Sequence, residues 1–434
     1  MKRILLFLTF IAALAPRLAA QTSVSDSVAR AFLIREMGVP IEGNNEIKLL
    51  LSGHDKFVDL FEAIRGARHH IHLEYFNFRN DSIANLLFDV LAEKVKEGVE
   101  VRAMFDAFGN SSNNQPLEKE HIRAIQERGI ELVKFDPVRF PYVNHVFHRD
   151  HRKIVVIDGK IGYTGGMNIA DYYIEGLPEI GPWRDIHMHI EGDIVRHLQG
   201  IFLTMWNRET GQHIGGPQYF GLEQPETGIR QSDEEHPADS SSTSAMPSPS
   251  AGDKEIVVVD RMPKETPASI RDAYSACIDA AEQHIRIINP YFAPTHKVHK
   301  ALKQALKRGT EVEIMMPSLS DIPFTPEAAF YITHRLMKRG AKIYLFNGGF
   351  HHSKIMMVDS LFCTVGTANL NSRSLRYDYE TNAFIFNPET TAELNRMFDQ
   401  DIESSTLMTP EYWKQRSRWK KFVGWFAHLL TPFI

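Results

Sequence analysis

Two helix–strand cassettes recur in the same order along this chain, and that repetition restricts its fold more than any single motif does. "FEAIRGARHHIHLEYFNF" (61–78) is echoed by "YSACIDAAEQHIRIINPYFAP" (274–294), an Ala-rich helix running into a strand. "LAEKVKEGVEVRAMFD" (91–106) is echoed by "LKQALKRGTEVEIMMP" (302–317), and "IRAIQERGIELVKF" (122–135) by "THRLMKRGAKIYLF" (333–346). Each of the last four is a charged helix, a Gly stop and an alternating strand. A helix–Gly–strand rhythm is the mark of βαβ units. The expected fold is therefore α/β and duplicated: two α-β-α lobes with mostly parallel sheets, packed about a pseudo-two-fold axis.

The length of 434 residues allows a sizeable core in each lobe. The expected division is a first lobe over 46–230, a linker over 231–253, a second lobe over 254–410 and a tail over 411–434. "QSDEEHPADSSSTSAMPSPSAGD" (231–253) is Ser-, Pro- and acid-rich, the composition of a disordered tether. Residues 1–20 have a basic start, a short apolar run and a small-residue site at "LAAQ", so they read as a signal peptide or N-terminal anchor and imply export to the cell envelope. The tail holds three of the five tryptophans; Trp419, Phe422, Phe426, Leu429, Leu430 and Phe433 recur at helical spacing beside Lys414, Arg416, Arg418, Lys420 and Lys421. That pattern suits the surface of an anionic bilayer, and a helix docked on the core would show the same spacing.

The repeat carries a second pattern. "HRKIVVID" holds His151, Lys153 and Asp158; "HHSKIMMVD" holds His352, Lys354 and Asp359 with the same H-x-K-x4-D spacing. Asn168 lies ten residues after Asp158 and Asn369 ten after Asp359, each behind a Gly-containing turn. Period 2 puts each His and Lys on one face of a strand mouth. If the halves meet about a two-fold axis, two imidazoles, two ammoniums and two amides surround one point. This suits a phosphodiester: Lys and Asn cover the non-bridging oxygens, one His attacks phosphorus, and the other protonates the leaving alkoxide. A phosphohistidine results, which an alcohol or water resolves. No cofactor is expected, and no metal: the two cysteines, Cys277 and Cys363, stand apart as buried thiols, and His69, His70 and His72 are split by strand alternation.

With its Gly turn and Asn, the doubled H-x-K-x4-D motif resembles the phospholipase D superfamily. The flanks "GVEVRAMFDAFGN", "PWRDIHMHIEGDIV", "INPYFAP" and "GTANLNSRSLRYDYETNAFIF" are similar to bacterial cardiolipin synthases, from about residue 46 to the end apart from the linker. The resemblance implies one phospholipase D-like lobe per half and transfer of a phosphatidyl group between two phosphatidylglycerol molecules, giving cardiolipin and glycerol. It implies His151 as nucleophile, His352 as acid/base, and Asp185 and Glu380 as the carboxylates that orient them. It also implies an anionic membrane surface as partner. Asp158 and Asp359 belong to the motif but are expected mainly to pin a strand-to-turn junction, with direct chemistry the lesser role.

The chain departs from the family pattern at Asp150, Ser353, Asn371 and Asp378, none of which removes a reactive side chain. A signal-like segment stands where many of these synthases have two transmembrane helices. Three other functions fit less of the sequence. A hydrolase using water would yield phosphatidic acid. A nuclease is disfavoured by the net charge of −5, so no nucleic-acid partner is expected. A non-catalytic lipid binder would not need both motifs intact. The insert 136–150, with Phe140, Tyr142, Val143 and Phe147, fits an acyl-chain entrance or a packed loop equally well.

Overall fold

A computed structural model describes residues 24–137, 147–222, 252–321 and 325–431. The N-terminal segment 1–20, nearly all of the linker, Phe140, Tyr142, Val143 and Phe433 lie outside the described residues.

Fifteen strands form one continuous sheet. In the first lobe, His70–Tyr75, Glu100–Asp106 and Glu131–Phe135 run parallel at the outer edge. Lys153–Ile157, Ile161–Gly165, His187–Gly192 and Glu42–Leu50 then follow inward, each antiparallel to its neighbour. The second lobe repeats this order with His284–Ile288, Glu311–Pro317 and Lys342–Phe346 parallel, then Ile355–Val358, Phe362–Gly366, Glu380–Phe386 and Lys254–Arg261 antiparallel. The halves join where Glu42–Leu50 pairs antiparallel with Lys254–Arg261. The parallel rhythm of the sequence is thus confined to three strands per lobe, and the sheet as a whole is mixed.

A local signal accounts for the change of direction. "VIDGKI" places Asp-Gly between two apolar runs, the signature of a type I′ hairpin. Asp158 and Gly159 both have positive φ, 54° and 64°, and Lys160 N–H donates to Ile157 O at 3.0 Å. In the second lobe Asp359 and Ser360 take the same turn at 49° and 57°. A Cβ on Gly159 would lie 2.4 Å from Gly221 N, so the first turn needs glycine where the second does not.

Each lobe buries its own core on one face of the sheet. The first is built on Leu60, Leu73, Leu87 and Phe105, the second on Tyr274, Ile287, Leu302 and Ile314. The opposite face is shared: Ile47, Ile154 and Met188 of one lobe form one core with Val258, Met357 and Ile385 of the other. Residues before 46 also join the fold. The helix Val24–Ala31 packs Ala29 into the second lobe's core, and Arg30 pairs with Glu255 at 2.8 Å. Cys277 and Cys363 are buried and unpaired.

The seam holds a buried charge network. Arg152 reaches across to Asp260 at 2.7 Å and lies 3.4 Å from Glu74. Glu74 and Asp150 are both fully buried, and burial raises both carboxyl pKa values while Arg152 opposes the rise. Replacing Arg152 with Met should destabilise the protein by about 3–5 kcal/mol, because two buried carboxyls lose their counter-charge. Urea midpoints at two pH values check this. The deficit should be larger at pH 8 than at pH 5, where the raised carboxyls take up protons; equal deficits would contradict it.

Candidate active site

His151 and His352 stand just before the equivalent strands Lys153–Ile157 and Ile355–Val358, whose fully buried apolar residues fix the strand mouths. What aims the rings is a two-residue exchange between lobes. Phe350–His351 pairs parallel with Trp183–Arg184, and His352 N–H donates to Arg184 O at 2.6 Å. On the other side Asp150 bridges Tyr379, and His151 N–H donates to Tyr379 O at 3.0 Å. In each case the next residue of the partner segment is an acid. The first-lobe His151 therefore meets the second-lobe Glu380, Nδ1 to both carboxylate oxygens at 3.1 Å. The second-lobe His352 meets the first-lobe Asp185, Nδ1 to Oδ2 at 2.7 Å. The two carboxylates lie where the sequence put them in each half, but each serves the other half's histidine.

The electrostatics follow from burial and these pairings. Burial works against ionisation of Asp185, yet Lys354 and His352 outweigh it and hold its carboxyl below the usual range. His151 and Lys153 do the same for Glu380, which also accepts a hydrogen bond from Thr367 Oγ1. Burial lowers both imidazoles, His352 to about 3 with Lys354 adding to the shift, and Glu380 limits the fall at His151. Burial also brings Lys153 down to about 7 and Lys354 to about 8. Two ionised carboxylates thus fix Nδ1–H on neutral rings and leave each Nε2 lone pair free. Lys354 lies 2.8 Å from His352 Nδ1 as well, but that nitrogen donates to the closer, oppositely charged Asp185, and Lys354 donates to His352 O.

Asn168 and Asn369 sit at the turns behind these strands, 6% exposed, each with a buried Oδ1 lacking a hydrogen-bond partner. The ammoniums of Lys153 and Lys354 are buried beside both carboxylates, and the amide nitrogens of Asn168 and Asn369 are further donors of the kind a phosphate group accepts from.

Asp158 and Asp359 do not join this cluster, which corrects their grouping with the reactive side chains. Each lies at the far end of its strand, roughly 15 Å away at the rise of a β-strand. Asp158 accepts from the backbone N–H of Arg68, His69 and His70 at 2.8, 2.8 and 3.0 Å; Asp359 accepts from Glu282, Gln283 and His284, each at 2.8 Å. The motif's Asp is therefore a left-handed turn residue that caps the start of the neighbouring strand. His70 and His72 share a buried face, with His72 3.3 Å from Gln199 Oε1.

Several residues at the site went unremarked in the sequence. Phe76 meets His151 edge-on at 5.0 Å and lies under the Lys153 ammonium. Trp183, Tyr291 and Phe350 surround His352 at 5.4, 5.9 and 5.7 Å. Lys56 is fully buried and donates to Met167 O and Asn168 O at 3.1 and 2.9 Å, holding the turn that presents Asn168. Its signal was present: Lys56, Leu60 and Ile64 fall on one helical stripe, so a lysine points into a core. Of the family departures, Asn371 caps the helix Ser372–Arg376 by accepting from Ser374 N–H, and Asp378 accepts from Arg149 N–H at 3.1 Å.

Two substitutions separate support from chemistry. Asp158→Ala should cost about 2–4 kcal/mol of stability by stranding three amides, with kcat of the folded enzyme within about threefold of wild type; a kcat collapse would return Asp158 to the chemistry. Lys56→Met should stay folded and lower kcat/KM by roughly 10- to 100-fold by loosening Asn168, as steady-state kinetics would show.

The sequence profile of a family described as cardiolipin synthase, PLD-like domain, matches residues 60–206 and again 274–402. A cardiolipin synthase of Alkalihalophilus pseudofirmus is 32% identical over 396 residues, covering 91% of this chain and 73% of that protein. A probable cardiolipin synthase of Bacillus subtilis, YwiE, is 32% identical over 413 residues, covering 94% and 77%. Among solved structures, the phosphatidylserine synthase of Haemophilus influenzae superposes with a TM-score of 0.69 over 94% of this chain and 99% of its own, at 15% identity, which speaks for the fold alone. The duplicated lobes, the doubled motif and the matches over both halves lead to one assignment: the chain belongs to the cardiolipin synthase family of phospholipase D-like proteins.

Proposed function

We propose that this protein is a membrane-associated phosphatidyltransferase that joins two phosphatidylglycerol molecules into cardiolipin and glycerol. The observation that carries the reading is the pair of crossed His–carboxylate dyads, each beside a buried motif lysine.

His151 is the nucleophile. Its side chain is the more open, 15% exposed against 8% for His352, and among the described residues no ammonium contacts its ring nitrogen. His151 Nε2 attacks phosphorus, and the bond from phosphorus to the leaving glycerol oxygen breaks. His352, protonated when the anionic substrate offsets the surrounding cations, gives its proton to that oxygen and releases glycerol. The neutral His352 then takes the proton of the second lipid's glycerol hydroxyl, whose oxygen attacks phosphorus and displaces His151. Lys153, Lys354 and the two Asn amides hold the non-bridging oxygens throughout. Asp185 and Glu380 hold the tautomers and stabilise each imidazolium in turn. The aromatic walls exclude water, which favours a lipid alcohol over hydrolysis.

Membrane association has its own support. No helix among the described residues is long and apolar enough to cross a bilayer. The helix Arg418–Leu430, however, docks on the helix Thr325–Met337 through small residues: Gly424 and Ala427 are buried, and a Cβ on Gly424 would meet Glu327 O at 2.5 Å. Its outward face is Trp419, Phe422, Trp425, Phe426, Leu429 and Leu430, each at least 44% exposed. The two readings of the tail therefore combine: the helix is docked, and its aromatic stripe is what it offers a bilayer. Export through the N-terminal segment completes the proposal; N-terminal sequencing of the envelope fraction tests it, and a start at Met1 would contradict cleavage.

Purified protein on phosphatidylglycerol vesicles should yield cardiolipin and glycerol by mass spectrometry. Phosphatidic acid as the main product would replace the transferase by a hydrolase. In His352→Ala an acid-labile phosphatidyl adduct should build up on His151 when a donor with a better leaving group is used; His151→Ala should form none. The pH profile gives a further check. Lys153 and Lys354 lose protons through about 7 and 8 in the free protein, so kcat/KM should fall as pH rises above about 7. A profile flat from pH 6 to 10 would contradict their role.

A further inference from the structure

Behind the docked C-terminal helix lies a second basic cleft, of about 540 Å³, that the transfer chemistry does not use. Arg335, Lys338 and Arg339 line it from the end of the helix Thr325–Met337, and Lys421 and Trp413 line it from the C-terminal helices. None of these four cations has a carboxylate partner among the described residues. Arg335 lies 3.4 Å from His428 Nε2, Arg339 donates to Arg335 O, and Lys421 donates to Lys414 O. The negative end of the helix dipole offsets part of the repulsion at Lys338 and Arg339, but it does not reach Lys421 on a separate helix.

His334 forms the floor. It stacks flat on Trp413, centroids 3.9 Å apart and planes 9° apart, and is 7% exposed. Its Nδ1 is buried without a hydrogen-bond partner, and so is Nδ1 of the neighbouring His428. Burial, reinforced by Lys338 and Lys421, pushes His334 down to about 4, so the ring is neutral and has an N–H to offer. Four cations lining one cleft without a carboxylate partner are the complement of an anion. The cleft sits at the far end of a 13-residue helix, roughly 20 Å from the end that leads to Asp321 and Tyr291, so it is separate from the active site.

We propose that this cleft binds the headgroup phosphate of an anionic phospholipid in the membrane on which the enzyme works, as a site distinct from the catalytic one. The choice of a lipid over a free phosphate rests on continuity: Lys421 belongs to the same helix that presents the aromatic stripe, so a headgroup held in the cleft leaves its chains beside Trp425 and Phe422. The inference rests on the membrane-surface reading above and adds a defined anion site to it.

Full-length protein and the Arg335→Gln, Lys338→Gln, Arg339→Gln triple variant would be sedimented with vesicles of phosphatidylcholine alone and of phosphatidylcholine with phosphatidylglycerol. The wild type should prefer the anionic vesicles, and the triple variant should lose about 10- to 100-fold on them with its weak phosphatidylcholine binding and melting temperature unchanged. Turnover of a soluble short-chain phosphatidylglycerol should also be unchanged. Undiminished binding of the folded variant to anionic vesicles would overturn the site, as would equal loss on both vesicle types. Tight titration by inorganic phosphate with no vesicle preference would assign the cleft to a free anion instead and overturn the lipid. A Trp419→Ser, Phe426→Ser variant that binds both vesicle types like wild type, or a wild type that binds neither, defeats the membrane-surface reading itself.

Discussion

Each imidazole of the active site is held by a carboxylate that arrives from the other lobe, and this exchange is the constraint on which the rest of the site depends. It needs two short parallel pairings, Phe350–His351 with Trp183–Arg184 and Asp150 with Tyr379, both across the seam. Those pairings need the lobes fixed to within a hydrogen-bond length. The continuous sheet, the shared core and the buried Arg152–Asp260 pair supply that rigidity. A hinge between lobes, common where interfaces are polar and small, would pull both dyads apart at once.

The same exchange explains the balance of charge. Burial strips protons from the two lysines, with repulsion from Lys354 adding to the shift at Lys153. Asp185 and Glu380 keep the arrangement tolerable without a ligand, and an incoming phosphodiester completes the neutralisation. In the proposed mechanism this couples binding of the substrate anion to protonation of His352, so that the acid form arises where and when the leaving oxygen needs it.

The C-terminal helix uses a related economy of surface. Its small residues face the protein and its large aromatic ones face out, the reverse of an ordinary docked helix. Gly424 allows the close approach, and Arg416, paired with Glu327 and lying over Phe330, ties down the turn before it. The result is a rigid platform whose apolar stripe and cationic cleft lie side by side.

Much of this was legible in the sequence because duplication is a long-range statement written locally. The repeated cassettes, the doubled His–Lys spacing and the trailing Asn residues follow from strand period and order, and the two acids from the family resemblance. Asp-Gly at 158–159 announced a hairpin that the parallel rhythm obscured, and Lys56 on an apolar stripe announced a buried ammonium. What only the tertiary structure decided is who partners whom. Equivalent acids in equivalent halves carry no mark of which histidine they serve; a pseudo-two-fold seam brings the other lobe's segment closer than the chain's own. The role of Asp158 and Asp359 was decided the same way, since a strand's length separates its two ends and the amides they cap belong to a strand some 75–90 residues earlier. Local chemistry wrote the residue types, and the packing of two similar lobes assigned their partners.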